Sequence, residues 1–320
     1  MLKAVILEDH AAHPGDLDWS AVRPLVDVLD IWSDTPKSQM ISRLQGAQAA
    51  IINKRVINEA VLDACPELKW VGVIATGTDN IDLEACRRHG VLVANAPGYS
   101  TYSVAQFAFS LLLAACQCTA RLDQGLRAGY WKEQPAPYGT LPQVELYGKT
   151  FGVYGYGNIG RQAARIARGF GMEVLACTRT VRPEYAGDGV TFVDLDTLLA
   201  RSDVISLHCP LTEQTRGLIS AARLAQVKPG CILINTARGR LVDEDAVAAA
   251  CTGGRLGWYL ADAFGHEPLR PESPLLACEN TILTPHVAWT TGAALHNLER
   301  IVTRNLQSWL EGRPENIVNP

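Results

Sequence analysis

The feature that most constrains this chain is a short apolar run, Phe151–Tyr154, that ends in Gly155-Tyr156-Gly157-Asn158-Ile159-Gly160. A segment follows with Ile159, Ala163, Ile166 and Ala167 spaced for one face of a helix. The order strand, glycine turn, helix gives each glycine a physical task. Gly155 permits the tight turn out of the strand, and Gly157 lets backbone N–H groups approach a pyrophosphate at the positive end of the helix. Gly160 lets the helix lie close to the sheet. Glycine-rich turns also join strands to helices without any ligand. The correctly placed strand and helix favour a dinucleotide site over that plain turn.

Strand and helix patterns alternate on both sides of this unit. Before it, strands are expected at Ala4–Leu7, Leu25–Trp32, Ala47–Ile52, Leu68–Ile74 and Val91–Ala94. Between them, Thr35-Pro36 reads as the start of a helix to Leu44, Asn58–Ala64 as a short helix, and Asp82 as the cap of a helix ending at His89-Gly90. From Lys149 onward, six strands are expected: Thr150–Tyr154, Glu173–Cys177, Val204–Leu207, Cys231–Asn235, Trp258–Ala261 and Thr281–Leu283. Helices fall near 158–169, 194–200, 220–226 and 243–251. Repeated βα order implies parallel sheets covered on both faces. The fold class is therefore α/β, with two doubly wound parallel-sheet domains. A Rossmann cofactor domain, 99–289, is inserted into a flavodoxin-like substrate domain made of 1–98 and 290–320. The last helix, about Thr290 to Glu311, carries Leu295, Leu298, Ile301, Val302, Leu306 and Trp309 on one side and is expected to pack back on the first domain.

Composition narrows the class further. With 320 residues, 48% hydrophobic and 19% charged, the chain has material for two buried cores. A net charge of −4 with no basic block argues against nucleic acid as a partner. Nine scattered cysteines without a C-x-x-C pair read as small core residues in a reducing cytoplasm. No metal set is indicated, and Met1–Asp9 reads as a strand with acidic residues after it rather than a signal peptide. The apolar stretch Val104–Cys118 is too short for a membrane span of ~20 residues. It reads as a helix buried between domains or subunits. Residues 121–147, with Pro135, Pro137, Gly139 and Pro142, fit an arm over a neighbouring subunit or a surface loop equally.

In a parallel sheet, ligands gather at the carboxyl ends of the strands. Three strand ends here carry polar groups: Asn235-Thr236-Ala237-Arg238-Gly239, Ala261-Asp262 through His266-Glu267-Pro268, and Thr284-Pro285-His286. Arg238 has the fork to hold an anion, although for a lone arginine a surface salt bridge is the slightly favoured reading. A lone histidine is more often structural than catalytic, and only the combination raises His286 above His10, His13, His89, His208, His266 and His296.

These segments, in this order, resemble the D-isomer-specific 2-hydroxyacid dehydrogenases over nearly the whole chain. The resemblance is carried by Ala75–Asn80, Pro97–Ser100, Ser103–Gln106, the glycine turn, Leu207–Thr212, Asn235–Gly239, Val242–Glu244, Asp262 with Glu267-Pro268, and Thr284–His286. Within the family, the glycerate dehydrogenase (hydroxypyruvate reductase) branch is the most similar. The resemblance implies a reductase of small 2-keto acids, hydroxypyruvate or glyoxylate, with Arg238, Glu267 and His286 as catalytic residues. Arg238 would bind the substrate carboxylate, His286 would exchange the proton, and Glu267 would orient the ring and favour its charged form. Thr76 and Gly77 would hold the carboxylate through backbone N–H groups. The cofactor would meet Gly155, Gly157, Asn158, Ile159 and Gly160, then Thr178 and Arg179, then Cys209, Pro210 and Thr215. Thr236, Ala237, Arg238, Asp262 and His286 complete that surface, with Asp262 near the nicotinamide. Tyr99, Trp289 and the 131–147 segment are candidates for the pocket that selects the substrate side chain. A homodimer is expected, with no membrane partner. Two alternatives stay open: a non-enzymatic dinucleotide sensor on the same scaffold, and a dehydrogenase acting on a different keto acid or a non-carboxylate substrate.

The second strand of such a domain normally ends in an acid that bonds the ribose hydroxyls of NAD. Here Glu173–Cys177 is followed by Thr178, with Arg179 and Arg182 nearby. The cofactor is accordingly read as NAD(P), leaning to NADP. If Arg179 merely stacks on adenine, NAD or mixed use remains.

Overall fold

The computed structural model describes residues 1–13, 15–129, 131 and 143–320. Pro135, Pro137, Gly139 and Pro142, on which the arm-or-loop reading rests, lie outside the described residues. The chain divides into two compact units, Met1–Ser100 with Trp289–Pro320, and Thr101–Ala288.

The first unit holds strands β1 (Lys3–Ile6), β2 (Val28–Ile31), β3 (Ala49–Ile52), β4 (Trp70–Val73) and β5 (Leu92–Ala94). All pair in parallel, in the order β2-β1-β3-β4-β5. This is the flavodoxin-like winding. β3 and β4 are buried at every position, as a sheet covered on both faces requires. Helices α1 (Met40–Leu44), α2 (Glu59–Ala64) and α3 (Leu83–Arg88) join the strands. Asn58 and Asp82 cap the latter two by accepting the N–H groups of Val61 and Ala85. Thr35 behaves differently from expectation. Its hydroxyl is buried and donates to Leu7 O at 2.6 Å, tying the chain to β1, and one 3₁₀ turn, Lys37–Gln39, precedes α1. The carboxyl-terminal helix, Gly292–Leu310, belongs to this unit and packs on β4, with Trp309 stacked on Trp70 at 5.9 Å between ring centroids.

The second unit begins with α4 (Thr101–Gln117) and α5 (Thr119–Arg127), followed by β6 (Thr150–Tyr154), α6 (Asn158–Gly169) and β7 (Glu173–Cys177). Then come β8 (Thr191–Phe192), α7 (Leu195–Arg201), β9 (Val204–Leu207), α8 (Ala221–Leu224), β10 (Cys231–Asn235), α9 (Glu244–Thr252), β11 (Leu256–Ala261) and β12 (Thr281–Leu283). The sheet is parallel throughout, in the order β12-β11-β10-β9-β6-β7-β8. It is therefore a Rossmann sheet of seven strands rather than six. The added strand, β8, has two residues and no hydrophobic pattern to announce it. Helix α4, expected between domains or subunits, packs on α6 within this unit. Its Ala105, Ala108, Phe109, Leu112 and Ala115 join Phe151, Val153, Ala163 and Ala167 in one core. Cys118, at φ +52°, breaks the chain between α4 and α5. Among the described residues no single helix is long and apolar enough to cross a membrane; α4 and α5 pass that test only as a pair, bent by 54°. All nine cysteines are free thiols and seven are buried, which fits their reading as core residues.

Candidate active site

A parallel sheet puts the carboxyl ends of its strands on one edge. In the second unit this edge carries the glycine turn after β6, Cys209-Pro210 after β9, Thr236–Arg238 after β10, Asp262 after β11 and Thr284–His286 after β12. β6 and β9 are neighbours in the sheet but not in sequence, so the winding reverses between them. This switch point is where open α/β sheets bind ligands.

The glycine turn has the geometry that a phosphate cradle needs. Gly155 sits at φ +98°, and a Cβ there would stand 2.6 Å from Cys209 N. A Cβ on Gly160 would stand 2.1 Å from Gly155 O, so only glycine lets α6 start this close to the turn. Around Gly157, by contrast, nothing lies within 4 Å of the Cβ position. Gly157 is also the N-cap of α6 and offers no side-chain acceptor, so the first N–H groups of Asn158, Ile159 and Gly160 keep open space beside them. Thr236 Oγ1 is buried and has no hydrogen-bond partner. An uncapped helix N-terminus with a bare glycine cradle and an orphaned buried hydroxyl fit a dinucleotide.

Around this cradle the side chains mostly hold the loops. Tyr156 Oη donates to Asp188 Oδ2 at 3.0 Å, and Arg161 on α6 donates to the same carboxylate at 3.0 and 3.3 Å. The Arg161 guanidinium keeps Asp188 below the usual carboxylate range. The segment after β7 is thereby tied to α6. Thr178, half-buried, and Arg179, exposed, open that segment directly after Cys177. Asp188 is committed to Arg161, so it does not replace the missing acid. Cys209 is buried, and burial pushes its thiol up to about 12. Thr215 Oγ1 donates to Pro210 O at 2.8 Å and accepts Thr212 N at 2.7 Å, closing the turn after β9.

Asn235, fully buried at the end of β10, shapes the turn that presents Arg238. Its Nδ2 donates to Arg238 O at 2.9 Å and its Oδ1 accepts Ala237 N at 3.2 Å. Glu267 and His286 meet directly, with Nδ1 2.8 Å from Glu267 Oε2. The other carboxylate oxygen, Oε1, accepts Phe264 N at 3.0 Å, which fixes the acid in its own loop. His286 adopts φ +57°, uncommon for a side-chain-bearing residue. Asp262 accounts for it. Asp262 is 1% exposed; its Oδ1 accepts Thr284 Oγ1 at 2.6 Å and Val287 N at 2.9 Å, while Oδ2 accepts Ala288 N at 2.8 Å. The acid grips the loop on both sides of the histidine.

Thr76 and Gly77 stand in the first unit after β4, where Thr76 Oγ1 donates to Ala96 O at 2.9 Å. Tyr99, also there, is buried and meets Trp289 edge-on at 6.4 Å. Among the described residues, Glu59, Asp63 and His89 lie close enough to share an ion, but Arg88 already pairs with Glu59. Sequence reasoning named Asn235 and Glu244 only within the segments Asn235–Gly239 and Val242–Glu244 and gave them no role, and it did not name Asp188. Only Glu244 gave a signal, as the start of a helix directly after the Arg238 turn.

Residues 109–288 match the family described as D-isomer specific 2-hydroxyacid dehydrogenase, NAD binding domain. A hydroxypyruvate reductase of Blautia hydrogenotrophica is 37% identical over 321 residues, covering 99% of this chain and 100% of that protein. A glyoxylate reductase of Korarchaeum cryptofilum is 37% identical, covering 91% and 89%. Among solved structures, an acyclic imino acid reductase (Bsp5) in complex with NADPH and D-Arg superposes with a TM-score of 0.89 at 28% identity, covering 99% and 100%.

Proposed function

The chain belongs to the D-isomer-specific 2-hydroxyacid dehydrogenase family, and we propose that within it the protein reduces hydroxypyruvate and glyoxylate to their 2-hydroxy acids. The observation that carries this reading is the 2.8 Å pair of His286 Nδ1 and Glu267 on the sheet edge that also presents Arg238. Reducing a 2-keto acid needs a hydride at the carbonyl carbon, a proton at its oxygen and a counter-charge for the carboxylate. The bound nicotinamide supplies the hydride. With Nδ1–H held by Glu267, His286 keeps Nε2 for the substrate oxygen. In its charged form that nitrogen donates a proton, and in the reverse reaction it accepts one. Glu267 fixes the plane of the ring through its contact with Nδ1. Arg238 binds the carboxylate and polarises the carbonyl with its guanidinium fork. Backbone N–H groups around Thr76 and Gly77 belong to the same proposal as carboxylate donors. Asp262 serves the reaction by holding the loop of His286.

For the cofactor the proposal is NADP over NAD. Thr178 stands where an acid would bond the ribose and repel a 2′-phosphate, and Arg179 follows it. The imino acid reductase that this unit resembles was solved with NADPH. A cytoplasmic homodimer without nucleic-acid or membrane partners completes the reading.

The test follows nicotinamide absorbance with hydroxypyruvate and glyoxylate, each with NADPH and NADH. Turnover of either acid is expected, with the larger kcat/KM for NADPH. His286→Ala is expected to lower kcat/KM by roughly 10²–10⁴-fold, the contribution of a general acid. Cofactor binding without turnover of any 2-keto acid would support a sensor instead, and a tenfold preference for NADH would overturn the NADP assignment.

A further inference from the structure

We infer that Glu244, the first residue of α9, is a positioning residue that holds the Glu267 loop against the Arg238 turn; the inference rests on the function proposed above. Glu244 Oε1 accepts Gly265 N at 2.7 Å. The same glycine's carbonyl accepts Arg240 Nε at 3.3 Å. Both backbone groups of Gly265 are thus held by side chains that follow Arg238 in sequence. The contact beneath them is tighter still. A Cβ on Gly239 would stand 1.8 Å from Phe264 C and 2.2 Å from Gly265 N, so the two loops touch backbone to backbone. One residue earlier, Phe264 N donates to Glu267 Oε1, and Glu267 Oε2 meets His286. A continuous path of bonds therefore runs from Glu244 through Gly265 and Phe264 to Glu267 and His286, and the turn bearing Arg238 lies on its other side.

This arrangement links two groups that must act together. The 2-keto acid has its carboxylate and carbonyl on adjacent carbons, so the arginine and the histidine must keep a fixed separation. They come from β10 and β12, with β11 between them. Beyond the last ladder bonds, Asp262 N to Asn235 O and Thr284 N to Ala261 O, a side chain has to tie the Glu267 loop to the Arg238 turn. Glu244 does so from a helix that starts only a few residues after Arg238. Its carboxylate meets a backbone N–H, so an amide oxygen can replace it, whereas a methyl group cannot.

Three variants and one spectrum test the inference. Glu244→Ala is expected to lower kcat/KM for hydroxypyruvate by roughly ten- to a hundredfold, the scale of a small misplacement of catalytic groups. Its KM for the cofactor should stay within about twofold, because the glycine turn is untouched. Glu244→Gln should restore most of the loss. In a His286→Ala background, Glu244→Ala should cost little more, since the two residues act through one path. A loss of equal size in both backgrounds, or a Gln variant as poor as Ala, would overturn the inference. The downfield proton signal of the His286 Nδ1–H···Glu267 bond, assigned by its loss in His286→Ala, gives a reading free of turnover. It should weaken or move in Glu244→Ala and persist in Glu244→Gln, and an unchanged signal in Glu244→Ala would count against the inference. A wild-type protein inactive on every 2-keto acid would defeat the proposed function alone and leave this spectral test to decide the position of the loop.

Discussion

Acid should weaken this fold through one ring next to the glycine turn. His208 directly follows β9, and its Nε2 lies 2.8 Å from the buried Ser206 hydroxyl. Its carbonyl carbon is 2.6 Å from where a Cβ on Gly155 would stand, so the residue is wedged under the turn. Burial depresses the ring from 6.5 to about 4. Between these values the folded chain keeps His208 neutral while the unfolded chain protonates it. The unfolded state therefore binds the extra proton, and folding stability is lost as pH falls from 6.5 towards about 4. Above 6.5 the contribution is complete. At 1.36 kcal/mol per pH unit the gap amounts to at most about 3 kcal/mol. The assay is urea unfolding of wild type and His208→Gln at neutral pH and at about pH 4.5, read by a probe in the second unit. Carboxylates titrate in both proteins, so their effect cancels in the comparison. Wild type should lose more stability on acidification than the variant, by about 2 kcal/mol over that range. Equal losses in the two proteins would refute the assignment of a histidine that the folded chain keeps neutral.

Two other substitutions probe the same edge. Gly160→Ala should destabilise the second unit by about 1–3 kcal/mol, since its methyl meets Gly155 O at 2.1 Å and α6 must shift; thermal unfolding and a raised KM for the cofactor check this. Asp262→Asn keeps one acceptor oxygen but faces Ala288 N with an amide, leaving a buried donor unmatched at a cost of about 1–3 kcal/mol. Its kcat should fall with little change in cofactor KM, and a variant with normal kcat would show that the loop does not depend on this acid.

Much of the fold was legible because the signals were local and repeated. Each expected strand of the second unit is an apolar run bounded by turn residues, and Asn58 and Asp82 cap helices as their positions suggest. The misses have physical causes. β8 has only two residues, too few for a period, and it is held by its neighbour β7. Thr35 stands before a proline and looks like a cap, but the hydroxyl has a stronger claim from Leu7 O. The apolar run of α4 shows that it is buried without showing against what. Only the glycine and alanine face of α6 decides that, by allowing close approach within the same unit.

The site divides along a similar line. Arg238, Glu267 and His286 were visible as polar groups at strand ends, and the contact between the last two follows from the fold. Asp262 was legible as a candidate site residue, but its partners were not. β11 and β12 are adjacent and parallel, with Ala261 opposite Leu283. The residue after β11 therefore faces the loop after β12, and its carboxylate reaches the Thr284 hydroxyl before His286 and the N–H groups of Val287 and Ala288 after it. That consequence needs the strand order, which a single sequence does not contain: had β12 lain on the other edge of the sheet, the same aspartate would have had no histidine loop to hold. Glu244 follows the same logic at one remove, because its partner is a backbone N–H of a glycine, which leaves no pattern in the sequence. In this fold the groups proposed to carry the chemistry are visible as residue types, whereas those that hold them in place are determined by which loops the sheet makes neighbours.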